Sequence, residues 1–564
     1  MSKGFYAILS FCIFGFCLYF NILNGEFISD DFITIVHNPA VKDPANLPAI
    51  WNAFNTRFLV GLSFSVNDAL GGLNTSGYHI VNICLHIINT FLVYQLILLI
   101  FQAPYFKKRK LSIDPNRIAF YAAIIFLCHP LQTQAVAFIT QRAVLMATGC
   151  YLLTVIFYLK ARISGKSFYK IIAIFTMLLG MFCKELVITI PIMLFVCEML
   201  FGEFKRENLR RIIKNIAPFS LVFVFLPLIL HHDNTGTGSV LGLKNQMMKG
   251  GMDWHYFLTE ISYLKTYIRL FCVPVLQRHI YVCPIIKSPL EISVLFSLGL
   301  TVFLIVTAIG MFKNNRIISF CISWFFVSIP VELIAVSVVK KPIIYEHWMY
   351  LSTAGLSLLT AYLICRIPSK GIMKTVFTII LMALCLLTIN RNEVWKTEIG
   401  FWEDNAVKTP HNRTVQFALA RAYDRKNNYA RAIDHYHKTI EISPENPLAY
   451  NNLGVVYLKL KRDGLALENF QKAIALDPGA PAAYNNIGYL YFLKNDWAGA
   501  LRYYEQSLTH RETPEALFYL GKTYLAVNEK QKARDSFVKA RIYYRQLRDE
   551  SKPQEISEIL KKEF

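Results

Sequence analysis

Long apolar runs fill the first 390 positions of the chain, and short polar stretches separate them. Each run is close to the roughly twenty residues that a helix needs to cross a bilayer. We therefore predict about eleven membrane-spanning helices. They cover residues 5–23, 78–102, 118–137, 142–160, 168–183, 186–202, 215–231, 290–312, 317–338, 345–365 and 374–390.

Beyond position 390 the pattern changes to amphipathic helices that repeat every 34 residues. Pro410, Pro444 and Pro478 mark the interval. Small and aromatic residues recur with the same spacing, at Ala420, Gly454 and Gly488, at Tyr423, Tyr457 and Tyr491, at Ala432, Ala466 and Ala500, and at Tyr436, Phe470 and Tyr504. A fourth copy, displaced by one residue, contains Gly521, Tyr524, Ala533 and Phe537. Helix pairs with this period are tetratricopeptide repeats, which stack into a solenoid.

The prediction is thus an all-α chain of two parts, a polytopic membrane domain followed by an α-solenoid. The membrane domain covers 1–390. The soluble part divides into a linker at 391–409, repeats at 410–443, 444–477, 478–512 and 513–545, and a capping helix at 546–564.

Composition and charge add an orientation to this picture. The 564 residues are 54% hydrophobic and 17% charged, which excludes a wholly soluble enzyme, yet the net charge is +21. Residues 1–390 hold 32 basic and 16 acidic residues, and residues 391–564 hold 27 and 22. Lys and Arg concentrate in cytoplasmic loops of membrane proteins. Four basic blocks fall on one side of the membrane if the spans alternate from a cytoplasmic N-terminus: Lys107–Lys110, Lys160–Lys170, Lys205–Lys214 and Arg366–Lys374.

The same alternation places residues 24–77, 231–289 and the repeats on the outer face. The segment 254–275 then stays outside as an amphipathic or re-entrant piece. The charge is therefore mainly a topology signal, and the sequence contains no nucleic-acid-binding motif.

An acidic pair, Asp30 and Asp31, follows the first predicted span directly. Carboxylates near hydrocarbon are costly and often functional. Crowding pushes the pKa values of adjacent carboxyl groups apart, which suits a base and an orienting or metal-binding partner. The alternative is a helix N-cap beside a hydrated loop acid.

Other polar residues interrupt apolar sequence on the predicted outer side. Arg57 and Arg142 are candidates for binding a phosphate, because guanidinium groups pair with phosphate oxygens. Lys184-Glu185 falls in a short outer turn, where an internal ion pair is the alternative to a site. Glu346-His347 begins the tenth predicted span.

The order of short motifs along the chain resembles that of the transmembrane-and-tetratricopeptide O-mannosyltransferases and their bacterial relatives, which belong to the GT-C class of glycosyltransferases. The resemblance covers nearly the whole chain. The motifs are Ser29-Asp30-Asp31, Gly72-Leu73-Asn74, Tyr78-His79 to Asn82, Leu85-His86, His129 to Val136, Gln141-Arg142, Cys183-Lys184-Glu185, Glu346-His347, Tyr350-Leu351 and Arg391-Asn392 to Trp395.

The resemblance implies an inverting transfer of a mannose-like sugar from a polyprenyl-phosphate donor to a protein hydroxyl, with the repeats binding the acceptor. It implies that Asp30 or Asp31 is the base. The donor phosphate or sugar would be bound by Arg57, Arg142, Lys184, Glu185, Glu346 and His347. A divalent cation, Mg²⁺ or Mn²⁺, could bind at Asp30 and Asp31, although no cofactor is certain.

The chain departs from that family at three places. The acidic stretch common before an outer-loop proline is replaced by Gln277–Pro284, the Arg usual after Glu-His is Trp348, and the Pro expected after Tyr-Leu is Ser352. These departures bear most on the identity of the donor.

Two other functions compete with sugar transfer. A membrane-anchored scaffold would need the repeats but not eleven spans, and a lipid-linked sugar transporter would need charges at mid-bilayer, where this chain has few. The motifs fit a bacterial inner membrane with periplasmic repeats best, and an endoplasmic-reticulum membrane with luminal repeats second.

Overall fold

The computed structural model describes residues 3–108, 113–202, 206–223, 253–282, 284–331, 334, 343–546 and 551–564. The chain forms two compact units, Met1–Gly400 and Phe401–Phe564.

The described part of the first unit consists of helices and one antiparallel pair of two-residue strands, β1 (Tyr281–Val282) and β2 (Ile343–Ile344). The α-helices as far as the first repeat are α1 (Lys3–Tyr19), α2 (Leu47–Phe54), α3 (Phe58–Gly71), α4 (Thr75–Gln102), α5 (Pro104–Lys107), α6 (Pro115–Cys128), α7 (Thr133–Ala137), α8 (Arg142–Ser164), α9 (Ser167–Met181), α10 (Ile190–Phe201), α11 (Leu209–Ile216), α12 (Trp254–Cys272), α13 (Ile292–Asn314), α14 (Arg316–Ser328), α15 (Ser352–Cys365), α16 (Lys370–Val394) and α17 (Glu398–Lys408).

Several of these helices are long and apolar enough to cross a membrane, as the sequence predicted. Within the described residues there are five, namely Gly4–Ile22, Thr75–Gln102, Ile139–Ser164, Ile292–Asn314 and Lys370–Val394. A sixth is the pair Pro115–Cys128 and Pro130–Ala137, bent by 53°. The bend falls at His129-Pro130, because proline has no N–H to continue a helix and disfavours helical geometry in the residue before it.

The remaining predicted spans are shorter or differently built. Apolar helices of 10–17 residues occupy Ser167–Met181, Arg316–Ser328 and Ser352–Cys365. The predicted span 186–202 instead opens with a 3₁₀ turn, Glu185–Thr189, and leaves a helix of only 12 residues, Ile190–Phe201. Residues 224–231 of the predicted span 215–231 lie outside the described residues, as does part of 317–338. The structure therefore supports a multi-pass membrane unit without establishing eleven spans.

Buried polar side chains tie the centre of the first unit together. Helix α4 packs against both α6 and α8, and α6 packs against α15. His86 and Asn89 of α4 both reach the Tyr350 hydroxyl, with Nδ1 of His86 at 2.7 Å and Nδ2 of Asn89 at 3.2 Å. His86 also contacts the Leu127 carbonyl through Nε2 at 3.1 Å. These histidine contacts are structural, since buried polar groups need partners.

The second unit contains consecutive helix pairs. They are α18 (Arg413–Arg425) with α19 (Tyr429–Ile442), α20 (Pro447–Lys459) with α21 (Asp463–Leu476), α22 (Pro481–Leu493) with α23 (Trp497–His510), and α24 (Pro514–Ala526) with α25 (Lys530–Gln546), followed by α26 (Ser551–Glu563).

Each pair turns through one residue in the left-handed backbone region, at Asn427, Lys461, Asn495 and Asn528. Their spacings of 34, 34 and 33 residues reproduce both the sequence period and the one-residue displacement of the fourth copy.

The repeats depend on a glycine where their two helices cross. A Cβ atom built on Gly454 would lie 2.6 Å from a ring carbon of Phe470, which is fully buried. Gly488 meets Tyr504 and Gly521 meets Phe537 in the same way, at 2.9 Å. A small residue at this position therefore allows an aromatic ring to fill the space between the helices.

We expect Gly454→Ala to destabilise the repeats by about 1–3 kcal/mol, because the added methyl group displaces the Phe470 ring. Thermal unfolding of the full chain, followed by circular dichroism, measures the effect. Gly464→Ala is the matched control. Its Cβ would have no neighbour within 4 Å, so its unfolding temperature should stay unchanged or rise; equal losses in the two variants would contradict the packing argument.

Candidate active site

The loop after α1 is anchored by Asp31. This carboxylate is only 1% exposed. Its Oδ2 accepts the Ile28 N–H at 3.0 Å, and its Oδ1 accepts the Thr140 N–H at 2.9 Å. The side chain thus joins the loop after α1 to the turn that precedes α8. Burial raises the pKa of Asp31 to about 7, although both hydrogen bonds act to lower it.

Asp30 has the opposite environment. The residue is solvent-exposed, and Ser29 Oγ lies 3.5 Å from its Oδ1, at the limit of a hydrogen bond. Protein atoms around the carboxylate still raise its pKa by desolvation, and Ser29 lowers it slightly. The preceding Ser29 has a φ of 52°, which is unusual outside glycine. This strained turn directs two adjacent carboxylates into different surroundings, and only Asp30 is left accessible.

Asp30 is linked electrostatically to the segment that carries Glu346-His347, because its charge acts on the Tyr345 phenol. The Tyr345 and His347 rings pack with centroids 5.3 Å apart. His347 is held from behind, because its backbone N–H donates to Gln134 Oε1 at 2.7 Å and its Nδ1 lies 3.2 Å from the same oxygen.

Lys184 and Arg57 form a cationic group that acts on His347. The charges of both residues act on its imidazole. Lys184 is buried, whereas the Arg57 side chain is 40% exposed and lies 3.5 Å from Glu185 Oε2. Burial would raise the pKa of Glu185, but the charges of Arg57 and Lys184 bring it below its ordinary value. Two cations thus share one carboxylate, which leaves an excess of positive charge here.

Glu346 is turned away from this cationic group. It is fully buried, and its Oε1 accepts the Arg278 N–H at 2.8 Å and the Tyr281 hydroxyl at 2.6 Å. Its Oε2 accepts Gln277 Nε2 at 3.0 Å. Glu346 therefore fixes the loop before β1.

Arg142 is also fully enclosed. Its Nε donates to Asn82 Oδ1 at 2.9 Å, and its two terminal nitrogens donate to the Ser63 and Tyr78 carbonyl oxygens at 3.1 Å. The guanidinium also lies over the Phe64 ring at 4.6 Å. These contacts attach the start of α8 to α3 and α4, and they direct the Arg142 donors to protein oxygens.

The structure therefore divides the predicted site residues into two sets. Those linked electrostatically through Tyr345, His347 or Glu185 are Asp30, Arg57, Lys184, Glu185 and His347. Those enclosed by their own protein partners are Asp31, Arg142 and Glu346.

Two residues at this site were not predicted from the sequence as site residues. His279 Nδ1 lies 3.1 Å from Gln134 Nε2, and its ring packs edge-on against Trp395. Burial, with the Arg391 charge, lowers the pKa of His279 to about 3, so it is neutral. Tyr345 was the other omission. Tyr345 stands next to the motif residue Glu346, and His279 lies within the divergent stretch Gln277–Pro284; these positions are the signals that could have identified them.

The residues present offer little to a divalent cation. Among the described residues, no group of three or more His, Cys, Asp or Glu side chains is placed to bind a metal ion. Asp31 uses both oxygens on main-chain N–H groups. Asp30 alone is a smaller donor set than Mg²⁺ usually takes from protein.

Comparison with known proteins finds two kinds of similarity, one over the repeats and one over most of the chain. A family model described as Tetratricopeptide repeat matches residues 417–481 and 464–514. The chain is 26% identical over 462 residues to protein O-mannosyl-transferase F38B6.6 of Caenorhabditis elegans, covering 78% of this chain and 64% of that protein. Homologues of this chain are protein O-mannosyl-transferases. The resemblance named from the sequence is confirmed.

A human homologue gives the same result. Protein O-mannosyl-transferase TMTC1 of Homo sapiens is 26% identical over 504 residues, which cover 78% of this chain and 55% of that protein. The chain thus spans between about half and two thirds of the length of these two mannosyl-transferases.

Solved structures match a limited part of the chain. MamA from Desulfovibrio magneticus is 19% identical and covers 26% of this chain and 85% of that chain, with a TM-score of 0.24. A thermophilic TPR protein in Thermus thermophilus is 19% identical and covers 32% and 95%, with a TM-score of 0.27.

The raised pKa of Asp31 predicts a pH-dependent stability. An unfolded aspartate titrates near pH 3.9, whereas the folded group titrates near 7. The folded state binds this proton more tightly, so the stability it contributes is complete below about pH 4 and is lost as the pH rises through 7. We expect the unfolding temperature of the purified protein to fall by about 3 °C or more between pH 5 and pH 8.

Asp31→Asn should flatten that decline, because an amide is neutral throughout and its Oδ1 can still accept the Thr140 N–H. Intrinsic tryptophan fluorescence, recorded during heating at each pH, provides the measurement. Asp114→Asn, at an exposed helix cap, should keep the wild-type slope. An equal decline in Asp31→Asn and wild type would show that Asp31 is not the titrating group.

Proposed function

We propose that the protein is a membrane glycosyltransferase that moves a mannose-like sugar from a polyprenyl-phosphate donor to a Ser or Thr hydroxyl of a protein acceptor on the outer membrane face. The observation that carries the proposal is that an accessible carboxylate and two cations act on neighbouring rings: Asp30 acts on Tyr345, and Lys184 and Arg57 act on His347, whose ring packs against that of Tyr345. The names of the homologues support the same chemistry.

Asp30 is the proposed base. Its raised pKa brings it nearer to neutral pH than an ordinary aspartate, which improves proton transfer in the reaction. The acceptor hydroxyl gives its proton to Asp30 while its oxygen attacks the anomeric carbon. The bond from that carbon to the phosphate oxygen breaks on the opposite face, so the configuration inverts.

Lys184, Arg57 and His347 are proposed to face the leaving phosphate. Fixed cations aimed at developing negative charge lower the barrier most when the site is poor in water. Lys184 is buried and its neighbour Glu185 restrains Arg57. Since the donor already leaves as a stable phosphate, positive charge is more important here than a general acid.

The remaining predicted residues are proposed to position this site. Asp31 fixes the loop that presents Asp30, and Arg142 fixes the start of α8 behind it. Glu346 fixes the neighbouring loop through Gln277 and Tyr281. This proposal assigns the phosphate to Lys184 and Arg57 in preference to Arg142, whose donors already have protein acceptors.

The tetratricopeptide unit is proposed to bind the acceptor polypeptide, because such repeats present extended surfaces that suit peptides and helices. The N-terminus is proposed to be cytoplasmic and the repeats to lie on the outer face, as the positive loops indicate.

Asp30→Asn tests the base. We expect it to reduce kcat by about 100-fold or more, since a positioned base typically contributes at least that factor. The measurement is the transfer of labelled mannose from polyprenyl-phosphate mannose to a Ser/Thr-containing protein by the purified enzyme. Asp43→Asn changes another carboxylate of the same outer loop and should retain activity. Normal transfer by Asp30→Asn would exclude this residue as the base.

Lys184→Met tests the binding of the leaving phosphate. It keeps side-chain length but removes the charge, so we expect kcat/KM to fall by roughly 100-fold. Lys287→Met removes an exposed positive charge from the predicted outer region and should have little effect. If both variants transfer sugar normally, the cationic group has another role. If even the wild-type protein transfers none while its repeats capture partners, a scaffold is the better description.

A further inference from the structure

A cavity of about 320 Å³ lies at the C-terminal ends of α8 and α10. Its polar wall consists of Arg162, Glu198 and Arg211, and its apolar wall includes Leu159, Phe201 and Pro104. The cavity shares no lining residue with the candidate active site. One side thus suits an anion, and the other suits hydrocarbon.

Glu198 orients one of the two arginines. It is 5% exposed, and it accepts the Tyr158 hydroxyl at 2.7 Å. Arg162 donates to it from Nε and, at 3.2 Å, from one terminal nitrogen. The Arg162 side chain remains 31% exposed. Arginine has five N–H donors in a fixed fork, so the buried carboxylate holds the guanidinium in place and leaves further donors for a ligand.

Arg211 brings a second positive charge from a different element. It belongs to α11, whose sequence is Leu-Arg-Arg-Ile-Ile-Lys-Asn-Ile. Ile212 and Ile216 are buried, while Leu209 and Ile213 keep exposed apolar surface beside exposed Arg210, Arg211 and Lys214. Basic helices that also expose apolar side chains lie at membrane surfaces.

A third arginine is near the same end of α10. Arg316 donates to the Leu200 carbonyl at 2.7 Å, and its guanidinium stacks on the Tyr105 ring at 3.8 Å, next to the lining residue Pro104. Positive charge around the single carboxylate of Glu198 therefore exceeds what that carboxylate can neutralise.

The cavity lies one membrane thickness from the candidate active site. Helix α8 runs without a break from Arg142, which is packed behind that site, to Ser164. Arg162 comes 20 residues after Arg142, and at about 1.5 Å per residue the two are about 30 Å apart. That is the thickness of the hydrocarbon core of a bilayer.

We propose that this cavity binds the phosphate of an anionic membrane lipid on the side of the membrane opposite the candidate active site. Arg162 and Arg211 contact the phosphate, while Leu159, Phe201 and Pro104 contact the adjoining glycerol and acyl carbons. We expect the phosphate to belong to a lipid, because a free anion has no apolar part that could contact the apolar wall. This site does not depend on the proposed sugar transfer.

Titration of the purified full-length protein with short-chain phosphatidylglycerol, followed by microscale thermophoresis, tests the proposal. Short-chain phosphatidylcholine, inorganic phosphate and glycerol phosphate are the parallel ligands. We expect saturable binding of phosphatidylglycerol that is at least about tenfold tighter than that of the other three, because charge-assisted hydrogen bonds and the apolar contacts then add.

Arg211→Gln should weaken phosphatidylglycerol binding about tenfold or more. Arg211 is exposed, so its loss should not unfold the protein. Lys166→Gln is the matched control. Lys166 is exposed in the turn between α8 and α9, and it does not line the cavity. It should change the affinity less than twofold.

Arg162→Gln combined with Glu198→Gln tests the other arginine of the polar wall while keeping the buried pair neutral, and it should also weaken binding. Equal weakening by Lys166→Gln and Arg211→Gln would overturn the proposal in favour of diffuse surface charge. Binding of inorganic phosphate as tight as that of the lipid would overturn the assignment to a lipid. Unchanged binding in both cavity variants would overturn the site itself.

Discussion

The arrangement of the candidate active site depends on the buried carboxylate of Asp31. By accepting N–H groups from Ile28 and Thr140, it joins two segments more than a hundred residues apart. Its neighbour Asp30 cannot follow it into the interior, because Ser29 turns through a left-handed conformation. The hydrogen bonds that hold the buried Asp31 therefore also hold the loop in which Asp30 is exposed.

The same division between enclosed and accessible charge runs through the first unit. Arg142, Glu346 and Asp31 are completely enclosed and have several protein partners each. Burying a charge without partners is unfavourable, so each of these enclosed groups has hydrogen-bond partners that offset the cost. The charges of Lys184 and Arg57 both act on the Glu185 carboxylate.

The features that were predicted correctly from the sequence depend on contacts between residues that are near each other along the chain. The 34-residue period predicted the helix pairs, because equivalent positions make the same contact within each repeat, as Gly454 does with Phe470 and Gly488 with Tyr504. The span predicted at 118–137 is instead bent by 53°, where Pro130 begins the second helix of the pair. The span expected at 186–202 was different, since apolar content alone does not separate a 3₁₀ turn from a helix.

The relations within the site could not be predicted in the same way. Asp30 and Asp31 are adjacent and chemically alike in the sequence, and which one is buried depends on contacts such as the N–H that Thr140 donates from the turn before α8. Glu346 binds Gln277 across 69 positions, so neither residue indicates the other. Nearness to a motif suggests that a residue belongs to the site, but its role is set by the partners that the tertiary fold supplies.

Helix α8 shows how one residue type acquires two roles through its surroundings. Arg142 begins the helix fully buried, with its donors directed to Asn82, Ser63 and Tyr78. Arg162, near the other end, has one carboxylate partner and remains partly open to a cavity. Its place in a basic block can be read from the sequence, but its orientation requires Glu198 from another helix. The partners that the tertiary fold supplies therefore set the difference between the two arginines.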